Sequence, residues 1–75
     1  MSLTVILNGQ SRSFETLDTP TTLDQVVGVL GLKADRVAVE RNGEITPRST
    51  WSASPVADGD KLEIVHFVGG GSGRV

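Results

Sequence analysis

The chain contains no cysteine and no tyrosine, and only three prolines among its 75 residues. The absence of cysteine excludes a disulfide scaffold, a thiolate metal site and a catalytic thiol. No apolar run approaches the ~20 residues that span a membrane, and the first residues lack the basic and apolar regions of a signal peptide. The sequence therefore predicts a cytoplasmic protein.

Basic residues are also scarce and scattered. The chain has seven Lys and Arg residues and nine Asp and Glu residues, which gives a formal net charge of −2. The aromatic residues, Phe14, Trp51 and Phe67, lie far apart in the sequence. A nucleic-acid interface needs a basic surface that neutralises phosphates, usually with aromatic residues interleaved, so this function has little support. Hydrophobic content of 37% and charged content of 21% are typical of a folded globular domain.

The size of the chain limits where chemistry can occur. A chain of 75 residues forms one domain and buries roughly 60% of the surface of its unfolded form. Nearly every large apolar side chain is then needed for the core, so no internal substrate cavity is expected. His66 is the single histidine, and strand parity predicts that it is a half-buried structural residue. We therefore expect no metal site, no bound cofactor and no active site of the protein's own.

Two Asn-Gly pairs predict two β-hairpins, because Asn-Gly supplies the two positive-φ residues of a type I′ turn. A stretch rich in apolar or β-branched residues precedes each pair. The first hairpin joins Leu3–Leu7 to residues 11–15 through Asn8-Gly9, and the second joins residues 37–40 to residues 44–46 through Asn42-Gly43.

One amphipathic helix is predicted between these hairpins. Apolar residues recur at i, i+3, i+4 and i+7 from Leu23 to Leu30. Thr22 and Gln25 have the spacing of a capping box, with Thr22 as N-cap. Gly31 suits the left-handed position just after the helix, where a following leucine can pack back on the last turn.

The longest predicted strand covers residues 61–68. Its β-branched content favours a central place in the sheet, parallel to the first strand. Asp58-Gly59-Asp60 before it is interpreted as a turn, and a 3₁₀ or helical turn is expected around residues 49–51. One helix on one face of a mixed sheet of four to five strands makes an α+β roll. The domain then covers residues 1–68, followed by a flexible glycine-rich tail at 69–75.

A small set of residues is a candidate for contacts with a partner. Val65 and Phe67 share the strand parity of two charged residues, Lys61 and Glu63, and should face water. They form either a docking patch or a covered position, and both interpretations stay open. Trp51 either plugs the end of the core or contacts a partner. Arg48, three residues earlier, completes the candidate set.

Two stretches carry a more specific signal than the order of the elements. The first is VERNGEITPR at residues 39–48, followed by Trp51; the second is DGDKLEIV at residues 58–65, which leads to the glycines. Together with a last strand that runs into Gly69, they resemble the ThiS family, the sulfur carrier proteins of thiamine thiazole synthesis, which have the ubiquitin-like β-grasp roll. The resemblance covers residues 3–71. MoaD-type molybdopterin synthase subunits share the roll and the Gly-Gly end, and are the nearest alternative.

The resemblance implies a role as a substrate of other enzymes. An E1-like, ThiF-type adenylating enzyme uses ATP to activate the terminal glycine carboxylate, a sulfur donor such as a cysteine desulfurase supplies sulfur, and the thiocarboxylate serves a ThiG-type thiazole synthase. The family diglycine matches Gly70 and Gly71, with Gly69 in the tail before them. Because glycine has no Cβ, such an end can enter a narrow channel.

One departure from the family pattern affects this expectation. The family ends at its diglycine, whereas this chain continues with Ser72-Gly73-Arg74-Val75. While these residues are attached, Gly71 has no free carboxylate. Proteolysis that exposes Gly71, extra residues from recombinant production, and loss of the carrier function are three open explanations. A carrier for another pathway and a ubiquitin-like interaction module without acyl chemistry are the alternative functions.

Overall fold

The computed structural model of the protein describes residues 2–68 and 71–74. Within this part of the chain the strands are β1 (Leu3–Leu7), β2 (Gln10–Phe14), β3 (Thr21–Thr22), β4 (Val37–Arg41), β5 (Glu44–Thr46), β6 (Pro55–Val56), β7 (Lys61–Val68) and β8 (Gly71–Arg74). The helix α1 is Leu23–Val29, and two 3₁₀ segments cover Ala34–Arg36 and Arg48–Ala53.

The main sheet has the order β2-β1-β7-β4-β5, and β8 pairs with β7 off this path. β7 runs parallel to β1 and antiparallel to β4, so the longest strand lies in the centre as its β-branched sequence predicted. The predicted mixed α+β roll with one main helix is confirmed. The two-residue strands β3 and β6 form a separate antiparallel pair, which the sequence did not predict.

Both predicted Asn-Gly turns are confirmed by their backbone angles. Asn8 and Gly9 have φ of 50° and 83°, and Asn42 and Gly43 have φ of 53° and 88°. These left-handed values belong to the type I′ turn that matches the twist of a two-residue hairpin. The first turn fixes the pairing of β1 with β2, and the second fixes that of β4 with β5.

The helix ends as predicted but begins differently. The Gly31 N–H donates to the Gly28 carbonyl (3.0 Å) and the Leu32 N–H donates to the Val27 carbonyl (3.2 Å), which is the Schellman pattern with Gly31 at φ 75°. Thr22 is the N-cap residue but makes no side-chain cap hydrogen bond, so the predicted capping box is wrong.

The β3–β6 pairing explains the difference at the start of the helix. The Leu23 N–H donates to the Ser54 carbonyl (3.0 Å), next to the β6 strand. The hydroxyl of Thr22 donates to the Asp24 carboxylate, and the hydroxyl of Thr21 donates to Gln25. Because the chain is already held by a strand before Leu23, the Thr22 and Gln25 side chains take other partners.

One hydrophobic cluster joins the helix to the inner face of the sheet. Its completely buried members come from β1, α1, β4, β6, β7 and the second 3₁₀ segment: Leu3, Val5, Leu23, Val26, Val39, Trp51, Val56, Leu62 and Ile64. Leu30 and Leu32 pack against this cluster at the end of the helix. Within the described residues, no helix is long and apolar enough to cross a membrane.

Part of the segment after β7, which the sequence predicted to be a flexible tail, forms a strand. Gly71–Arg74 forms β8 and pairs antiparallel with β7, with Gly71 opposite Val68 and Arg74 opposite Val65. Gly69, Gly70 and Val75 lie outside the described residues. The flexibility of the tail and the division of the domain at residue 68 stay predictions.

Candidate functional site

The alternation of β7 separates a buried face from an exposed one. Leu62 and Ile64 point into the core, and His66 on the same side is half-buried, as predicted. Phe67 on the opposite side is 51% exposed and Val65 is partly exposed. The parity argument for these two residues is therefore confirmed.

An apolar patch forms on this exposed side of the sheet, and we call it the outer patch: Ala38, Ile45, Val65 and Phe67. Ala38 lies opposite Val65 in the β4–β7 pair. A groove of about 450 Å³ runs along the same face and is lined by Ala38, Val39, Glu40, Ile45, Glu63 and Val65. The outer patch thus has an apolar centre with two carboxylates along it.

Ala38 and Ile45 are the members of the outer patch that the sequence reasoning missed, and Ile45 is the more exposed of the two. Ile45 is 76% exposed, and it pairs with Glu40 across the second hairpin. Directly opposed residues point to the same side of a sheet. The two-residue Asn42-Gly43 turn sets the register of this hairpin, and a charged residue such as Glu40 is expected on the solvent-exposed side of the sheet. The sequence therefore contained the information that Ile45 is exposed.

The structure decides between the two interpretations of Trp51 in favour of core packing, against the partner contact. Its side chain is 2% exposed, and its indole N–H donates to the Thr46 carbonyl (2.8 Å), so it packs in the core and offers no surface to a partner. The predicted 3₁₀ turn around it is confirmed as Arg48–Ala53. Arg48 is exposed at the start of that segment, and its role in docking stays a prediction.

The Asp58-Gly59-Asp60 sequence forms the predicted turn, with Gly59 at φ 85°. Both carboxylates hold the backbone: Asp58 accepts from the Thr4 N–H (2.8 Å), and Asp60 accepts from the Ala57 N–H (2.9 Å). The turn therefore joins the start of β7 to β1. In the described part of the chain, no group of three or more His, Asp or Glu residues is placed to hold a metal ion.

Among the titratable side chains that the structure describes, Asp60 has a pKa that departs from its usual value. Burial raises the pKa of this carboxyl, but the hydrogen bonds from the Ala57 N–H, the Asn42 amide and the Arg41 guanidinium, together with the Arg41 charge, lower the pKa by a larger amount. The Arg41 Nε lies 3.1 Å from the Asp60 Oδ2. The net pKa lies below the usual value, so ionised Asp60 stabilises the fold.

We expect Asp60→Asn to lower the free energy of unfolding by about 1–3 kcal/mol at pH 7, since hydrogen bonds to a charged group are lost. Because the folded-state pKa is lowered, this contribution is present above the unfolded-state pKa and is lost as the pH falls through the folded-state pKa. Urea unfolding of both chains at several pH values should therefore give curves that converge in acid. Asp35→Asn, at an exposed carboxylate, is the control. A difference that is constant with pH would contradict this interpretation.

The predicted reactive end meets the described structure at one residue. Gly71 opens β8 and lies opposite Val68 at the end of β7, whereas Gly69 and Gly70 lie outside the described residues. Val68 directly follows Phe67 of the outer patch. The backbone of Gly71 therefore lies close to Phe67 of the outer patch, within the β7–β8 strand pair.

A central strand that runs parallel to the first strand, with one helix packed on one face of the mixed sheet, defines a ubiquitin-like β-grasp roll. The crystal structure of a thiamine biosynthesis protein, ThiS, from Geobacter metallireducens superposes with a TM-score of 0.77 at 30% identity, covering 92% of this chain and 100% of that one. The ThiS family model matches residues 5–71. The chain belongs to the ThiS family.

Two relatives bear on the context of the domain. The sulfur carrier protein ThiS of Bacillus subtilis is 40% identical over 65 residues, which cover 87% of this chain and 96% of that protein. A thiazole synthase of Paramagnetospirillum magneticum is 47% identical over 68 residues, which cover 91% of this chain but 20% of that protein. The chain thus spans about a fifth of the length of the thiazole synthases that it matches.

Proposed function

We propose that this protein is a sulfur carrier of thiamine thiazole biosynthesis, with Gly71 as the residue that carries sulfur. The observation that carries the proposal is the extent of the family match, which begins in β1 and ends on Gly71 itself. The similarity to the Bacillus subtilis sulfur carrier over 96% of that protein supports it further. The chain is then a substrate of other enzymes and not a catalyst.

The chemistry begins with a carboxylate that is a poor acyl donor. An E1-like adenylating partner uses ATP: a Gly71 carboxylate oxygen bonds to the α-phosphorus and pyrophosphate leaves. The sulfur of a donor such as a cysteine desulfurase persulfide then bonds to the acyl carbon, and AMP leaves with that oxygen. Reductive cleavage of the sulfur–sulfur bond by a thiol releases the thiocarboxylate. Gly70 and Gly71 contribute access, because an end without Cβ atoms can approach the acyl-transfer site closely.

The acceptor of the sulfur is a thiazole synthase. In two relatives with that name, a segment similar to this chain is joined to a much longer polypeptide. Physical linkage raises the effective concentration of one component at the other, which is useful where a carrier must deliver to a particular enzyme. This arrangement supports a thiazole synthase as partner, whether the two parts lie on one chain or on two.

The outer patch is the surface that we assign to docking. Phe67 and Ile45 are large apolar side chains that the fold leaves exposed, and Val65 lines the groove together with Ile45. Buried aromatic anchors contribute strongly to protein interfaces, and the adjacent carboxylates of Glu40 and Glu63 favour a partner with a basic rim. Gly71 lies next to this patch, so a partner docked there is close to the reacting end.

The residues after Gly71 must be removed before this chemistry can occur. As long as Ser72 is attached, the acyl carbon of Gly71 belongs to a peptide bond and offers no oxygen to ATP. The proposal therefore includes cleavage of the Gly71–Ser72 bond, or a chain made to end at Gly71. The carrier substrate is the chain of residues 1–71.

Intact-mass spectrometry tests the proposal directly. The chain of residues 1–71 is incubated with ATP, a ThiF-type adenylating enzyme, a cysteine desulfurase and its substrate cysteine, and a thiol reductant. The expected product has one oxygen replaced by sulfur, and the matched chain of residues 1–75 stays unchanged. An unmodified 1–71 chain in a reaction where the enzyme converts the Bacillus subtilis carrier would contradict the proposal.

Two alternatives have different consequences in related experiments. An interaction module without acyl chemistry is favoured only by the exposed outer patch, and it predicts that partner binding survives deletion of residues 69–75. A carrier for another pathway, such as molybdopterin synthesis, would gain sulfur in the same reaction but fail to support thiazole formation by a thiazole synthase. Sulfur loading of the 1–71 chain and thiazole formation from the loaded chain therefore together separate all three functions.

A further inference from the structure

β7 has one long edge that β1 covers only in part. β1 pairs with it at Lys61 and Leu62, where the Asn8 N–H donates to the Leu62 carbonyl (2.8 Å). Two residues further along β7, the side chain of Asn8 replaces the backbone of β1 as the hydrogen-bond partner. Its Oδ1 accepts from the Ile64 N–H (2.8 Å), and its Nδ2 donates to the Ile64 carbonyl (3.3 Å). The amide of Asn8 thus substitutes for one residue of a neighbouring strand, and the cover by β1 ends there.

The next backbone groups on this edge belong to His66 and Val68. In an extended strand the N–H and C=O of one residue point to the same edge, and this edge alternates along the chain. Because those of Ile64 face Asn8, those of His66 and Val68 face the same side. There they meet β8, with His66 opposite Gly73 and Val68 opposite Gly71.

We infer that residues 71–74 cover a strand edge that the adenylating partner uses once the residues after Gly71 are gone. The partner adds an extended segment to β7 at His66 and Val68, antiparallel as β8 is. This inference rests on the proposed function, in which Gly71 becomes the chain end. Cleavage then has two effects at once: it creates the carboxylate and uncovers the edge that recognises the finished carrier.

The position of Gly71 favours this partner over a second copy of the chain. Gly71 follows Val68 by three residues, so once β8 is gone a protein that receives the released end lies close to the same edge. Phe67 and Val65 present their side chains on the adjoining outer patch. Backbone pairing along an exposed edge gives affinity, and neighbouring side-chain contacts give specificity, as in other cases of strand addition.

Amide hydrogen exchange measured by NMR tests the cover without any partner. In the 1–71 chain, the His66 amide has lost its partner Gly73, so we expect its exchange to be at least about tenfold faster than in the 1–75 chain. The Val65 amide faces Ala38 in β4 and is the internal control, with unchanged exchange. Equal exchange of the His66 amide in the two chains would contradict the claim that residues 71–74 cover this edge of β7. The sulfur-transfer experiment would still decide the proposed function.

The second arm uses the adenylating enzyme bound to the 1–71 chain. Strand addition predicts that the His66 amide recovers its protection in the complex. In the same chain His66→Pro, which removes one edge-facing N–H, should bind about tenfold more weakly than His66→Ala, since proline is tolerated where the N–H of an edge strand faces solvent. An unprotected His66 amide in the complex, or dimers of the free 1–71 chain, would overturn the partner assignment even where the proline variant fails to fold.

Discussion

Replacing Phe67 with aspartate is expected to weaken binding of the 1–71 chain to the adenylating enzyme by about 100-fold, the loss typical of a central aromatic anchor. Phe67 is 51% exposed on the outer patch, so its ring contributes little to the core. The free energy of unfolding should therefore change by less than about 1 kcal/mol. Titration calorimetry of the complex and urea unfolding of the free chain measure the two quantities separately.

Val29→Asp is the matched control for this substitution. Val29 is 49% exposed, nearly the same fraction as Phe67, but it lies on α1 and outside the outer patch. It introduces the same charge at an equally exposed apolar position, and binding should stay within about twofold of the parent chain, as for a residue outside an interface. If the two substitutions weaken binding equally, the effect comes from net charge, and the outer patch is not the docking surface.

Replacing Trp51 with alanine is expected to remove about 3–5 kcal/mol from the free energy of unfolding. The indole is 2% exposed and belongs to the core between α1 and the second 3₁₀ segment. Small domains have about 5–15 kcal/mol in total, so the variant should be partly unfolded or close to it at 37 °C. Urea unfolding followed by circular dichroism measures the loss without depending on tryptophan fluorescence.

Trp51→Phe separates packing from hydrogen bonding at the same position. Phenylalanine keeps much of the aromatic volume but cannot donate to the Thr46 carbonyl. We expect a loss of about 1–2 kcal/mol from that bond and from incomplete filling. An alanine variant as stable as the parent chain would contradict the placement of Trp51 in the core.

The parts of the fold that the sequence predicted depend on local chemistry. Each Asn-Gly pair fixes a hairpin because few other residues adopt two successive positive φ angles. Gly31 ends the helix for a similar reason, and the dense β-branched content of residues 61–68 marks the central strand. These signals lie within a few residues of the structure that they specify.

The parts that were missed depend on contacts between distant segments. Thr21 and Thr22 pair with Pro55 and Val56, and two-residue strands have no periodicity to read. That pairing also displaced the predicted capping box. The strand at residues 71–74 forms against the edge of β7, so its glycine-rich sequence gave no sign of it.

The sequence predicted the exposure of candidate site residues where strand alternation alone determines it, and not where it depends on packing between distant segments. The alternation of β7 correctly turned Val65 and Phe67 outward, and the hairpin register would have added Ile45. For Trp51, by contrast, burial depends on how the second 3₁₀ segment lies against α1, which no local pattern specifies. The role proposed for Gly71 came from family resemblance, since the composition around it indicated only a flexible segment.

The intact mass of the protein purified from cells that produce it naturally tests the central claim most directly. The claim is that Gly71 becomes the chain end and carries sulfur. We expect a species that ends at Gly71, part of it with one oxygen replaced by sulfur. A population in which every chain continues past Gly71, or ends at Gly71 without sulfur while the cell makes thiamine, would contradict it.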